Sequence, residues 1–489
     1  MKMEFTFGEG RPTEPPSPET PFRILVLGDL DGRTSRNLTQ PLAGRRPVPV
    51  DLDNFEEFLK KLRAEVQLSN AVAPTRIAMS ELDDFHPDHL FAQMELFTAL
   101  RKTRSELLNP ATFAAAAAEV RAWGGSNLPA ATTVASAVTH PPTARESDAG
   151  TIERLLGHAP TSPLPASNVA DELIRKIVAP HIVAAPSADR PALVAAVDAA
   201  AGELMRGVLH DPAFQALEST WRGIDFLIHR LEIGEALQVY VLNVSRSELA
   251  ADLMASEDLR QSALFKILVE ATVQSPGAEP WALVLGLYNF GQSQEDVALL
   301  GRMAKLAQAA GAPFVAAAGA GLMQTALQNP EQLESSKEWL ALRASATGAF
   351  LGLAGSRFLL RLPYGKSTDA ISAFDFTEVS DPLKTETYLW GNPALAVGTL
   401  LGQMFTESGW EMNPADGSKL DGLPVHSWKD GTETRMTPCA ETWLKDAQAE
   451  RLIEHGIMPF QSIQGLDAIR LARVQSIHQP LSALVGRWT

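Results

Sequence analysis

The chain has 489 residues, of which 45% are hydrophobic and 20% charged, a balance typical of a globular protein with room for two or three domains. Its formal net charge of −16 argues against nucleic-acid binding, because neutralising phosphates requires clustered Lys and Arg. The single cysteine, Cys439, excludes an internal disulfide and a thiolate metal site, and the sequence shows neither a secretory signal nor about 18 uninterrupted apolar residues, so we expect a soluble cytoplasmic protein without membrane insertion.

Residues 1–21 form a predicted arm and spacer. Met3, Phe5 and Phe7 alternate with polar residues and predict a short strand with one apolar face. The following RPTEPPSPETP is rich in proline, cannot be helical and tends to be extended. A strand held away from its own domain in this way is satisfied by pairing with an exposed sheet edge, including one on another molecule. A frayed terminus is the alternative.

Residues 22–125 predict a small α/β domain. The run FRILVLG at 22–28 is typical of a buried strand, and a second strand is expected near 46–50. The apolar spacing that begins at Phe55 predicts a helix, TRIAMSEL predicts a strand, and Pro87 opens a helical run to about Ala122.

Residues 126–150 are dominated by Ala, Thr, Ser, Pro and Gly and predict a flexible linker, because they carry few large apolar side chains. Just after it, TIERLLG predicts a short amphipathic helix with Ile152, Leu155 and Leu156 on its apolar face.

Residues 151–489 predict a larger α/β domain. Residues 169–231 have a helical pattern with breaks near Pro180 and at 187–191. Strands that are apolar on both faces then alternate with helices, which indicates a mixed sheet covered by helices on both sides. The predicted elements are strands at 237–245, 281–290, 313–319 and 357–365, an extended segment at 433–444, and helices at 246–254, 295–310, 392–405 and 447–455.

Two segments invite a chemical interpretation that the sequence does not support. GKST at 365–368 matches the end of a phosphate loop, but Leu360 occupies the position where that motif needs Gly. His86 and His89 lie in HPDH among carboxylates, but Pro87 places His86 outside the helix. We therefore predict no catalytic, cofactor-binding or metal-binding residues and no enzyme; a nucleotide-binding enzyme is kept as the least favoured alternative.

Tryptophan beside glycine recurs in the sequence, at Trp221-Arg222-Gly223 and at Trp390-Gly391-Asn392. A large side chain covering a tight turn is a packing feature, so these residues are predicted to be a structural motif.

Several motifs resemble the contractile sheath proteins of bacterial type VI secretion systems. Residues 151–489 resemble the large subunit (TssC/VipB), and residues 1–125 resemble the small subunit (TssB/VipA). The large-subunit motifs are FQALESTWRG at 214–223, LPYG at 362–365, YLWGN at 388–392, GLP at 422–424 and QSIHQP at 475–480. The small-subunit motifs are FRILVLGDLDGR at 22–33, VDLDNFEEFL at 50–59 and SELDDFHPDHL at 80–90.

The resemblance implies a structural protein that self-associates by strand exchange, with both sheath subunits fused in one protomer. It also implies an inner tube and a baseplate as partners, and a ClpV-type unfoldase that recognises the helix of Ile152, Leu155 and Leu156; a helix that packs on the body is the alternative. The family's C-terminal region has no counterpart after QSIHQP, so an accessory that initiates, caps or regulates sheath assembly is the second functional expectation.

Overall fold

The computed structural model describes residues 16–69, 75–125, 190–414 and 418–488. The predicted strand of Met3, Phe5 and Phe7, the linker at 126–150, and the predicted helix of Ile152, Leu155 and Leu156 lie outside these residues and stay predictions. Among the helices that are described, none is long and apolar enough to cross a bilayer.

Fifteen strands occur in the described residues, and nine of them form one mixed sheet in the order β11-β15-β14-β8-β7-β6-β1-β5-β2. The strands are β1 (Phe22–Gly28), β2 (Val48–Pro49), β3 (Ala64–Gln67), β4 (Arg76–Met79), β5 (Leu237–Asn243), β6 (Leu283–Phe290), β7 (Phe314–Ala318), β8 (Leu351–Gly355), β9 (Phe358–Leu359), β10 (Trp390–Gly391), β11 (Ser418–Leu420), β12 (Ser427–Asp430), β13 (Glu433–Met436), β14 (Ile457–Ser462) and β15 (Ile469–Leu471).

Thirteen helices of six residues or more occur in the described residues. They are α1 (Phe55–Leu62), α2 (Pro87–Gln93), α3 (Thr98–Leu108), α4 (Phe113–Gly125), α5 (Arg190–Leu209), α6 (Pro212–Arg230), α7 (Arg246–Met254), α8 (Gln294–Ala310), α9 (Ala320–Gln328), α10 (Pro330–Ser335), α11 (Lys337–Ala344), α12 (Pro393–Ser408) and α13 (Asp446–Glu454).

Strand β1 occupies a central position in the sheet. It pairs in parallel with β5 along its whole length, Phe22 opposite Leu237 and Gly28 opposite Asn243. On its other edge it pairs with β6, with Ile24 opposite Leu283. The first strand of the small-subunit-like segment therefore lies between two strands of the large-subunit-like segment, and the sheet does not follow the division predicted at residue 125.

Both faces of the sheet are covered, as the apolar strands predicted. Successive residues of a strand point to opposite faces. Val284 belongs to a buried cluster with Leu300 and Met303 of α8, whereas the next residue, Leu285, lies against Gly398 of α12. The predicted fold class, a mixed sheet flanked by helices, is confirmed.

Some predicted elements are wrong in extent. The strand predicted over 357–365 is limited to β9, and the extended segment predicted over 433–444 is a strand only in β13. Pro363 cannot donate to a sheet ladder, and the side chain of Arg361 enters an ion cluster described below. The break between α5 and α6 at Asp211–Pro212 was not predicted, and neither were β3, β8, β14 and β15.

The described residues within Leu90–Arg206 and Ser372–Phe376 form a second compact unit. Helices α3, α4 and α5 build it. Inside this unit, the guanidinium of Arg104 contacts the carboxylate of Asp198 at 2.6 Å, and the rings of Phe91 and Phe374 pack with centroids 4.8 Å apart.

Candidate functional site

The signature FQALESTWRG lies within α6, a helix that is capped by Asp211 and begins at Pro212. Asp211 accepts a hydrogen bond from the backbone N–H of Ala213 at 2.9 Å, and Pro212 occupies the first helical turn. The spacing of the signature then puts one face of the helix into the core. That face includes Phe214, Leu217, Glu218 and Trp221. A carboxylate is thus buried among apolar side chains.

Trp221 connects the signature to the segment that follows β1. Its indole Nε1 donates to the backbone carbonyl of Leu30 at 2.7 Å, and its ring meets Phe85 edge-on with centroids 5.5 Å apart. Gly223 allows a close helix contact, because a Cβ at this position would lie 2.4 Å from Leu395 Cδ1 of α12. Trp221 and Gly223 therefore act through packing.

A buried ion cluster surrounds Glu218. The carboxylate Oε1 accepts from Arg222 Nε and from Arg361 Nε, each at 2.8 Å. The side chain of Glu218 is fully buried and that of Arg361 is 10% exposed. Arg222 also donates to the hydroxyl of Tyr364 at 3.1 Å. The signature and the LPYG motif thus meet through charged side chains.

Glu378 completes this cluster. Its two carboxylate oxygens accept from the Nη1 and Nη2 atoms of Arg361 at 2.7 and 3.0 Å, and the backbone N–H of Tyr364 donates to it at 2.8 Å. His210 Nε2 lies 3.7 Å from Glu378 Oε1, too far for a hydrogen bond. Two carboxylates face two guanidinium groups, so the charges balance. We call Glu218, Arg222, Arg361, Tyr364 and Glu378 the signature cluster.

Burial and the charge of Arg361 together set the protonation states of Glu378 and Tyr364. Burial by itself would raise the pKa of Glu378, but the charge of Arg361 and hydrogen bonds to the carboxylate lower that pKa to about 2. Burial raises the pKa of Tyr364 to about 12. At neutral pH Glu378 is therefore ionised and the Tyr364 phenol keeps its proton.

A second buried ion cluster joins the small-subunit-like motif LGDLDGR to α7. The carboxylate of Glu248 accepts from Arg33 Nη1 and from Arg45 Nη1, each at 2.8 Å. Glu248 also forms a reciprocal cap with Ser245 at the start of α7. Burial would raise the pKa of Glu248, but hydrogen bonds from Arg45 and the backbone, with the charge of Arg33, lower it to about 2.

The Trp390-Gly391-Asn392 motif joins α12 to α6. The backbone carbonyl of Trp390 accepts from the Ser219 hydroxyl at 2.8 Å, and Asn392 caps α12 by accepting from the N–H of Ala394 at 3.0 Å. A Cβ on Gly391 would lie 2.9 Å from Phe358 Cζ and from Leu360 Cγ, so a larger residue would force these side chains to shift.

A crevice of about 1050 Å³ lies where these motifs converge, at the C-terminal ends of β1 and β6. Its wall includes Asp29 from LGDLDGR, Ser219 from the signature, and Trp390 and Asn392 from YLWGN. Both sheath-like segments therefore contribute side chains to the wall of one crevice.

The GKST segment has a turn geometry rather than a phosphate-loop geometry. The backbone N–H of Gly365 donates to the carbonyl of Asp369 at 2.7 Å, and the hydroxyl of Thr368 donates to the carbonyl of Pro363. Residues 366–392 are all described, and they contain no α-helix whose N-terminus could hold a phosphate.

The HPDH segment is divided by its proline, as predicted. His86 packs edge-on against Tyr364 with ring centroids 5.0 Å apart. His89 instead lies with Asp84 and with Glu81, which sequence reasoning missed, and their possible ligand atoms are all within 4.8 Å of one another. Asp84 already accepts from the backbone N–H groups of Ser80 and Glu81, so capping a turn accounts for its carboxylate.

Sequence reasoning located the signature but missed its charged partners. Trp221, Arg222, Gly223, Trp390, Gly391 and Asn392 come together around α6 and α12. Arg361 and Glu378 were not singled out, although an arginine inside the apolar run RFLLRLPYG is the kind of residue that needs a buried partner. Cys439 is buried, which raises the pKa of its thiol to about 11 and keeps it protonated at neutral pH.

Two family models match the chain. The VipB model, described as the EvpB-type tail sheath N-terminal domain, matches residues 191–478, and the VipA model of the type VI secretion system matches residues 13–121. The type VI secretion system sheath protein TssC1 of Pseudomonas aeruginosa is 35% identical over 306 residues, covering 59% of this chain and 61% of that relative. The resemblance of one chain to both sheath subunits is confirmed, and the match spans less than two thirds of the relative.

Replacing Arg361 with methionine is expected to lower the unfolding free energy by about 3–5 kcal/mol, because Glu218 and Glu378 would be left buried without their shared cation. Arg357→Met is the matched control: Arg357 pairs with Glu441 at the surface and is 46% exposed, so its loss should cost at most about 1 kcal/mol. Urea unfolding followed by circular dichroism measures both, and equal losses would contradict a special role for the buried cation.

Stability should fall as the pH falls from 4.5 toward 2. Glu378 has a pKa of about 2 in the folded chain and a reference value of 4.5, so the unfolded chain takes up the proton first. The contribution of Glu378 is complete above this window, is lost within it, and is on the order of 3 kcal/mol. Urea unfolding at pH 6 and pH 3 should show a smaller difference for Glu378→Gln than for the parent chain. An unchanged difference would mean that Glu378 does not carry this dependence.

Proposed function

Because the chain belongs to the VipB tail sheath family and also matches VipA, we propose that it is a structural subunit of a contractile-sheath-like assembly in type VI secretion. In this proposal one chain supplies both halves of a sheath protomer. The observation that carries the proposal is the position of β1, a strand of the VipA-type segment held between β5 and β6 of the VipB-type segment.

The single-chain protomer is favoured by how the two segments join. The β1 backbone pairs on both edges, Trp221 donates to Leu30, and Arg33 and Arg45 hold Glu248. Fusion holds the segments at one-to-one stoichiometry, and a tether raises their effective concentration to about the millimolar range. If the two halves came apart under load, the covalent linker would still connect them.

A structural role also accounts for the motif residues without chemistry. Trp221, Gly223, Gly391 and Asn392 act by packing or by capping, and the GKST segment forms a turn. The relative that aligns with this chain is named a sheath protein. We therefore propose no enzymatic activity. Equilibrium binding of ATP or GTP with millimolar affinity or better would reopen the nucleotide-binding alternative.

The proposed partners are further copies of this chain, the inner tube and the baseplate, in the cytoplasm. A ClpV-type unfoldase is proposed to recognise the predicted helix that carries Ile152, Leu155 and Leu156. Replacing these three residues with alanine should abolish co-purification with the unfoldase while leaving the folded body unchanged. Co-purification at the parent level would assign the helix to packing on the body.

An accessory that initiates, caps or regulates a sheath is the alternative within the same family. Copy number separates the two roles, because a bulk sheath subunit is present in hundreds of copies per tail and a cap in a handful. Quantitative mass spectrometry of isolated tails gives this number directly.

Electron microscopy tests the proposal itself. The purified full-length chain, alone and together with the other tail components, is expected to appear in rings, tubes or tail-end density. A chain that contributes to none of these under any condition is not a sheath-type subunit.

Removal of residues 1–8 should weaken self-association strongly and leave the fold of the chain intact. In the proposal, Met3, Phe5 and Phe7 belong to an arm that pairs with a sheet edge of a neighbouring protomer, and each buried Phe contributes roughly 1.5–3 kcal/mol. Sedimentation velocity reports the association and circular dichroism reports the fold. Assembly of the truncated chain at the parent level would identify the arm as a frayed end.

A further inference from the structure

A groove of about 530 Å³ opens at the surface beside the C-terminal end of β14. The β12–β13 hairpin forms one side of it, and the loop after β14 forms another. Its apolar wall includes Leu383, Trp428, Met436, Trp443 and Leu466. We call this feature the Trp443 groove.

The Trp443 groove is an exposed apolar surface. Leu383 is 71% exposed, Trp443 50% and Leu466 48%. Contiguous exposed apolar side chains of this size usually mark an interaction site. In the described part of the chain, β12 and β13 pair only with each other, and an isolated two-stranded hairpin is marginally stable in water. A bound partner would cover the apolar wall and support the hairpin.

The charge of the groove narrows the kind of partner. Among the residues that line it, Arg435 is the charged side chain, and no carboxylate belongs to the described lining. Arg435 contacts Asp430 at 2.9 Å, but both are more than half exposed, so this pair can exchange for another carboxylate. A suitable partner is extended, offers apolar rings to the wall and places a carboxylate beside Arg435.

We propose that the Trp443 groove binds the proline-rich segment of residues 11–15, RPTEP, from a second copy of this chain. Proline-rich segments dock into aromatic-lined grooves because their rings pack flat against indoles and little conformational entropy is lost. Pro12 and Pro15 provide the rings, and Glu14 opposes Arg435. The inference rests on the proposed self-assembly and identifies one of its contacts.

Geometry excludes the chain's own segment from the groove. Thr20 and Phe22 are held where β1 begins: the Thr20 carbonyl accepts from Trp410 Nε1 at 2.9 Å, and the Phe22 N–H donates to the Ala236 carbonyl at 2.8 Å. The groove lies at the opposite end of the strands, beside the C-terminus of β14, and three strands separate β14 from β1. Strand rise and strand spacing put the groove about 30 Å from the start of β1. Pro15 is five residues before Thr20, and five extended residues reach about 17 Å.

A contact of this kind is directional. The N-terminal edge of one sheet would face the C-terminal edge of the next, so each copy uses two different surfaces. Head-to-tail contacts between unlike surfaces form rings or helical assemblies, as a sheath requires.

Peptide binding tests the groove without requiring assembly. A fluorescent peptide of residues 9–19 is titrated with the full-length chain, and anisotropy is measured. Trp443→Ala should weaken binding at least tenfold, Leu481→Ala, an exposed leucine outside the groove lining, should leave it unchanged, and replacing Pro12, Pro15 and Pro16 of the peptide with alanine should abolish it. Failure of the peptide to bind, or equal binding by Trp443→Ala, overturns the proposal even if the chain forms sheaths.

A charge swap tests the same contact in the full-length chain. Glu14→Arg and Arg435→Glu should each weaken self-association several-fold in sedimentation velocity, and the double variant should recover most of the loss. Arg470→Glu is the matched control, since Arg470 is also half exposed and paired with an aspartate, Asp446. Additive losses in the double variant, or an equal loss in the control, would overturn the pairing of Glu14 with Arg435.

Discussion

The pairing of β1 with both β5 and β6 is the constraint on which the rest of the structure depends. A strand with two buried edges needs a partner for every N–H and C=O on both sides. Removing β1 would leave β5 and β6 with facing unpaired edges in the middle of a sheet. Strands from the two sheath-like segments are therefore parts of one sheet, although each segment is recognised separately in the sequence.

Of the two buried ion clusters, the one around Glu248 joins the two sheath-like segments, and the signature cluster joins motifs within the large-subunit-like segment. Glu248 is held by Arg33 and Arg45, and Glu218 by Arg222 and Arg361. Buried pairs seldom add net stability over apolar packing, because desolvation offsets the attraction, but a misaligned pair is costly. We infer that the clusters contribute specificity: they exclude arrangements in which LGDLDGR or LPYG is displaced relative to its carboxylate. For the proposed sheath subunit, one fixed geometry would matter more than extra stability.

Sequence patterns predicted the central strands well, because FRILVLG and LQVYVLN carry mostly apolar side chains. The patterns also predicted several helices within about two residues. They could not predict strand order, since backbone pairing between β1 and β6 joins residues far apart in sequence. The four-residue strand AEVQ is too short and polar to show a period, and LGLAG in β8 contains glycines that suggest a turn. The buried ion pairs were not predicted for a related reason. The sequence shows that Arg361 is charged, but not that it pairs with Glu378 in the folded chain.

The signature residues that the sequence identified encode contact geometry rather than chemistry. Along α6, Glu218 reaches Arg361, Ser219 reaches the backbone at Trp390, and Trp221 reaches Leu30. Successive helical residues are about 100° apart, so one helix addresses several segments from different faces. Gly223 then lets α12 approach closely. In the proposed assembly such a helix has a clear use, since each copy would have to present its surfaces in the same relative positions for contacts to repeat.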